Sequence, residues 1–150
     1  MDWKTLFLDA KGRIGQKDFW IGFLILFVGG IILSFIPVIG QIASIILIYP
    51  WVCLFSKRLH DFGKTGWLAA VPFVIGFIAG IIAVAMGGAA MLTGGMGSEA
   101  DALAAVGSAG LVLGLSFIIY IAFVLWVGLS KGDPGTNQYG SPRTPPLTGA

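Results

Sequence analysis

The chain has 150 residues, 57% hydrophobic and only 11% charged, with a mean hydropathy of +0.93. Soluble domains carry about 25% charged residues, so this chain lacks the polar surface to cover a water-facing globule and points to the bilayer as its solvent. The net charge of +2 is too small to indicate nucleic acid. The one cysteine, Cys53, can form no intramolecular disulfide and has no partners for a zinc site.

Residues 1–19 hold Trp3, Leu6, Phe7 and Ala10 near one helical face, with Lys4 and Lys11 placed to reach headgroups. This reads as a retained N-terminal interfacial amphipathic segment rather than a signal peptide, because no small-x-small site follows the apolar run. Gly12 and Gly15 interrupt helix geometry just before the first span. Four charge-free apolar segments follow, expected as transmembrane helices over 20–36, 40–56, 67–86 and 108–130. The first two are short, and a hairpin dipping partway into the membrane is the alternative for them. Pro50 and Pro72 are expected to interrupt the second and third helices, freeing the carbonyls of Ile46 and Leu68. The outer loop, 87–107, is rich in Gly and Ala until Ser98, where Ser98 and Asp101 resemble a capping box and EADALAAV continues as good helix sequence. The fourth helix is therefore expected to start near Glu99 and project beyond the bilayer. The tail, 131–150, runs through GDPG, NQYG and SPRTPP and reads as turns.

Charge sets the orientation. All nine Lys and Arg lie in residues 1–19, in the second connection (Lys57, Arg58, Lys64) or in the tail (Lys131, Arg143). The first connection, Pro37 to Gln41, has no charge, and the outer loop carries only Glu99 and Asp101. By the positive-inside rule both termini and the KRLHD connection are cytoplasmic, a division that needs an even number of spans. The expected fold is thus one all-α integral membrane domain, 1–150, with four transmembrane helices.

Within lipid, helices associate through close backbone contact. Gly76 with Gly80, and Gly110 with Gly114, form GxxxG pairs expected to pack the third and fourth helices on each other or on a second copy. No ionisable residue lies mid-span, which argues against a proton relay or buried ion site. Ser34, Ser44, Tyr49, Ser116 and Tyr120 suit interhelical hydrogen bonds.

The stretch KRLHDFGKTGW, Lys57 to Trp67, has two readings. If the second helix continues through Asp61, both Lys57 and Arg58 share a face with Asp61, the basic residues suit the helix C-terminus, and Gly63 stops the helix. In the sharper reading Arg58, His60 and Lys64 bind an anionic headgroup or a partner's carboxylates, with His60 as a pH sensor. No second His, paired carboxylate or activated nucleophile accompanies His60, so no catalytic residue, metal site or cofactor is assigned. Met86, Met91 and Met96 recur at intervals of five on the outer side, but the loop between them reads as filler.

Three elements carry a resemblance. GRIGQKDFW (Gly12 to Trp20), KRLHDFGKTGW and GDPGTNQYGSP (Gly132 to Pro142) resemble, in order, the GRxxRxEFW, RRLHDxGxSGW and GxxGxNxYGxxP elements of the domain-of-unknown-function 805 family. Gln16 departs from a usual basic residue, Asp18 from a usual Glu, and the outer loop looks like an insertion. The resemblance implies a small multi-span protein of the bacterial inner membrane, without an activity to carry over. All three elements fall on the expected cytoplasmic side. They are expected to form one polar cap in which Arg13 or Arg58 pairs with Asp18 or Asp61, and Asn137 bonds exposed backbone.

The function favoured on these grounds is a non-enzymatic scaffold or regulatory component acting through that cap, Arg13, Asp18, Arg58, His60, Asp61, Lys64 and Asn137 being its candidate site residues. A small oligomeric transporter or channel is the alternative, and an anionic-lipid-binding protein a third. Expected partners are membrane lipid and either a second copy or another membrane protein.

Overall fold

The structure is a computed structural model that describes residues 3–92 and 98–142, the side chains of 88–92 excepted. The middle of the outer loop, the Met91 and Met96 side chains, Arg143 and the end of the tail lie outside the described residues. Among those residues every regular element is helical: α1 (Trp3–Leu8), α2 (Gln16–Ser34), α3 (Ile39–Asp61), α4 (Val71–Leu92) and α5 (Glu99–Leu129). A 3-10 turn, Gly66–Ala70, precedes α4. Four helical stretches are long and apolar enough to cross a membrane, all but α1.

The chain divides into two compact units, one of Met1–Ala69 with Trp126–Ala150 and one of Ala70–Leu125. In the first, α2 and α3 form a hairpin whose aromatic rings interlock. Phe19 meets Phe55 at 5.5 Å and Phe23 meets Trp51 at 5.1 Å between ring centroids, and Phe19 and Phe55 are fully buried. Such edge-on pairs add about 0.5–1.5 kcal/mol each beyond the area they bury. The hairpin turns sharply. Ile39 N–H bonds Pro37 O at 2.7 Å across Val38, whose φ of 66° is a γ-turn conformation rarely adopted by a β-branched residue. A Cβ on Gly40 would overlap the Leu33 carbonyl, so glycine is what lets the two backbones close.

Helix α1 does not simply lie beside the hairpin. Leu6 is fully buried, and a Cβ on Gly22 of α2 would stand 2.7 Å from Leu54 of α3 and 3.4 Å from Leu6. The missing side chain at Gly22 is the space into which Leu6 and Leu54 pack. Lys57 Nζ donates to Leu6 O at 3.3 Å and the Tyr49 hydroxyl to Leu8 O at 2.9 Å, so α3 supplies donors to orphan carbonyls of this short helix.

In the second unit, Pro72 occupies the first turn of α4. That corrects the expectation of an interruption: a first-turn proline gives up an N–H that has no intrahelical acceptor. Pro50 does lie inside α3. At the start of α5, Asp101 N–H donates to Ser98 Oγ at 3.2 Å and Ser98 Oγ–H to Asp101 Oδ2 at 2.6 Å. The capping geometry explains why the helix begins at Glu99, nine residues before the apolar span at 108. A Cβ on Gly76, Gly80, Gly110 or Gly114 would meet no described atom within 4 Å. The GxxxG pairs thus make no close helix–helix contact within the described chain.

Candidate functional site

The site forms where α3 ends. Helix α3 continues through Asp61 and closes on Gly63, whose φ is +72°. Gly63 N–H bonds His60 O at 3.2 Å and Lys64 N–H bonds Leu59 O at 2.9 Å, the paired bonds of a Schellman stop. The apolar run and the glycine together therefore deliver Arg58, His60 and Asp61 to the last turn of one helix.

Asp61 is the centre. Its Oδ1 accepts from Arg13 Nε at 3.1 Å, and its Oδ2 accepts from Arg58 Nη1. One carboxylate thus neutralises half of two guanidinium charges, and all three residues are buried: Arg58 is 0% exposed, Arg13 5% and Asp61 6%. Backbone carbonyls take the remaining donors. Arg13 Nη1 donates to Gly135 O at 2.7 Å and Gly140 O at 3.1 Å, and Nη2 to Asp61 O at 3.0 Å and Asp133 O at 2.6 Å. With Nε on Asp61, all five Arg13 N–H groups are used. Arg58 donates through Nε to Val127 O at 3.2 Å, through Nη1 also to Ile14 O at 3.4 Å, and through Nη2 to Ser130 O. Its guanidinium stands 5.9 Å from the centroid of the Phe62 ring.

These bonds collect four separate stretches of chain. Gln16 Nε2 reaches Leu129 O at 3.0 Å and Ser130 O at 3.2 Å, so Gln16 and Arg58 together supply donors to the Val127, Leu129 and Ser130 carbonyls at the end of α5. The tail folds back as well. Asp133 N–H bonds Asp61 O at 2.8 Å, and Asn137 Nδ2 donates to His60 O and Asp133 Oδ2, each at 2.9 Å. Asn137 and Gly140 exchange backbone bonds, and the turn they close lays Tyr139 on His60, the rings 3.8 Å apart and 11° from parallel. His60 Nδ1 lies 3.1 Å from Gly12 O, and since a carbonyl only accepts, Nδ1 carries the proton. Glycine is required twice more for steric reasons. A Cβ on Gly132 would overlap the Asp61 carboxylate, and one on Gly66 would overlap Ser56 Oγ and stand 2.8 Å from His60 Nε2.

Of the expected site residues, Arg13, Arg58, His60, Asp61 and Asn137 come together. Asp18 does not join them. It sits in the first turn of α2, and both ion pairs are made by Asp61. Lys64 is exposed beside the cluster. Lys57, expected to share a face with Asp61, directs its ammonium to α1. Sequence reasoning did not single out Gln16, Ser130, Gly132 or Asp133 as parts of the site. Gln16, Gly132 and Asp133 lie inside the elements GRIGQKDFW and GDPGTNQYGSP, which were the signal for them, whereas Ser130 lies in neither. With Arg13 and Arg58 buried and bonded inward, the cluster closes the chain on itself and offers no guanidinium to a headgroup. Among the described residues no group of three or more His, Cys, Asp or Glu is placed to hold a metal ion.

The model of a family described as "protein of unknown function (DUF805)" matches residues 7–141, a stretch containing every residue of the cluster. No curated protein and no solved structure matches the chain. The chain belongs to the DUF805 family.

Proposed function

Taking membership of that family as the premise, we propose that the protein is a non-enzymatic multi-pass component of the bacterial inner membrane. It acts as a scaffold or regulatory subunit whose working surface is the closed polar cap, facing the cytoplasm together with both termini. The observation that carries this reading is the complete use of the five Arg13 donors within the chain. A residue that acts on a substrate needs a free donor, acceptor or proton. Here the buried charged groups bind the start of the chain, the end of α3 and the tail into one face. A face of fixed shape is what a partner protein can recognise without ordering it first. The concentration of Lys and Arg in the same segments supports the cytoplasmic placement.

Native mass spectrometry of the protein released gently from its own membranes tests the proposal. A second membrane protein released with it, and lost from the Asp61→Asn variant, is the expected result. A homo-oligomer without such a partner that also passes solute across liposomes would overturn it in favour of a transporter or channel.

A further inference from the structure

The basic residues at the cap separate into two populations. Arg13, Arg58 and Lys57 are 5%, 0% and 2% exposed and donate into the chain. Lys11, Lys17, Lys64 and Lys131 are exposed, and none of the four forms an ion pair among the described residues. Their positions are related. Lys11 precedes the Gly12–Arg13 corner, Lys17 lies in the first turn of α2, Lys64 follows the stop of α3, and Lys131 follows the end of α5. The bonds of Arg13 to Asp61, Arg58 to Ser130 and Gln16 to Leu129 hold these four places at one end of the first unit. Trp67, on the turn after α3, is 85% exposed, and Trp3 is 49% exposed. Indole rings left open at the end of membrane-crossing helices mark the level of the headgroups. A lysine at that level lays its aliphatic stem along apolar surface and holds a compact ammonium out to phosphate.

We propose that Lys11, Lys17, Lys64 and Lys131 form a collar that binds the phosphate groups of anionic phospholipids in the leaflet next to the cap. Arg13 and Arg58 shape the collar from inside and make no lipid contact. The partner is the charged lipid surface, recognised by several separated cations together, each worth roughly fivefold in partitioning to an anionic surface at low salt. The assignment goes beyond the scaffold reading and does not rest on it, since lipid preference is independent of any protein partner.

The test uses the full chain reconstituted in liposomes, its own five tryptophans being the reporter. Quenching by brominated phosphatidylglycerol, compared with brominated phosphatidylcholine, reads relative lipid binding at the protein surface. The expected result is a preference for phosphatidylglycerol that is lost in the K11Q/K17Q/K64Q/K131Q variant and weakened when salt is raised to screen exposed charges. The four side chains are exposed, so the variant should keep the wild-type unfolding midpoint in SDS. If it does not, the four single variants, each expected to lower the preference by a few-fold, decide in its place. Absence of any preference in the wild type, or its persistence in the variants, would overturn the proposal. Loss of the preference on adding millimolar inorganic phosphate at constant ionic strength would also overturn it, by showing a site for free phosphate.

Discussion

Asp61 has more to lose than any other residue of the cap, because two buried guanidiniums depend on its one carboxylate. Replacing it with Asn keeps the shape and removes the charge, leaving Arg13 and Arg58 facing each other without a counter-ion. Breaking a buried pair in this way costs about 3–5 kcal/mol, and SDS-induced unfolding of Asp61→Asn should show a loss of that order. In an Arg58→Ala and Asp61→Ala double-mutant cycle, the coupling should be about 0.5–3 kcal/mol; simple additivity would show that the contact is not energetically real. Gly132→Ala should destabilise in the same assay by about 1–3 kcal/mol, since its methyl group displaces the Asp61 carboxylate. The Arg58–Asp61 pair was legible in advance because residues three apart share a helical face. The Arg13–Asp61 pair spans 48 positions, and nothing local distinguished Asp61 from Asp18 as its partner.

At the scale of elements, the short helix α1 is stable only through what it packs against, since an isolated helix of six residues does not form in water. Leu6→Ala should therefore destabilise by about 2–5 kcal/mol, and backbone amide exchange across Trp3–Leu8 should rise toward that of an unstructured segment. The amphipathic pattern of residues 1–19 indicated an apolar face. It did not indicate the recess at Gly22, because a recess is a property of two helices placed side by side. Helix ends were more readable. The glycine stop at Gly63 and the Ser98 cap both rest on bonds within a few residues. Ser98→Ala should lower stability by about 1 kcal/mol. The Gln16 amide donates to the end of α5 as a basic side chain could. Gln16→Ala should cost about 1 kcal/mol and Gln16→Arg should restore most of it, both read from unfolding midpoints.

For the whole molecule, the cap makes the first unit a structure closed by its own tail. Three of the five Arg13 bonds go to carbonyls of residues 133–140. Ending the chain after Ser130 removes those acceptors and the Tyr139 ring that covers His60. In the truncated protein an arginine-specific protease should cleave at Arg13 many times faster than in the full chain, where that side chain is 1% exposed. Equal rates would show that the tail does not shield it.

Sequence alone determined the number of long apolar helices, and it separated the basic segments from the rest. Both follow from sums over neighbouring residues: a span is a length of apolar chain, and a basic segment is a count of Lys and Arg beside it. Three-dimensional structure alone decided that Arg13 and Arg58 turn inward while Lys11, Lys17, Lys64 and Lys131 stay exposed, and that Asp61 rather than Asp18 serves both Arg13 and Arg58. Those outcomes depend on carbonyls and recesses brought together across as many as 127 positions of chain. Burial of a charge is governed by every group that surrounds it, and only the folded chain assembles that surrounding.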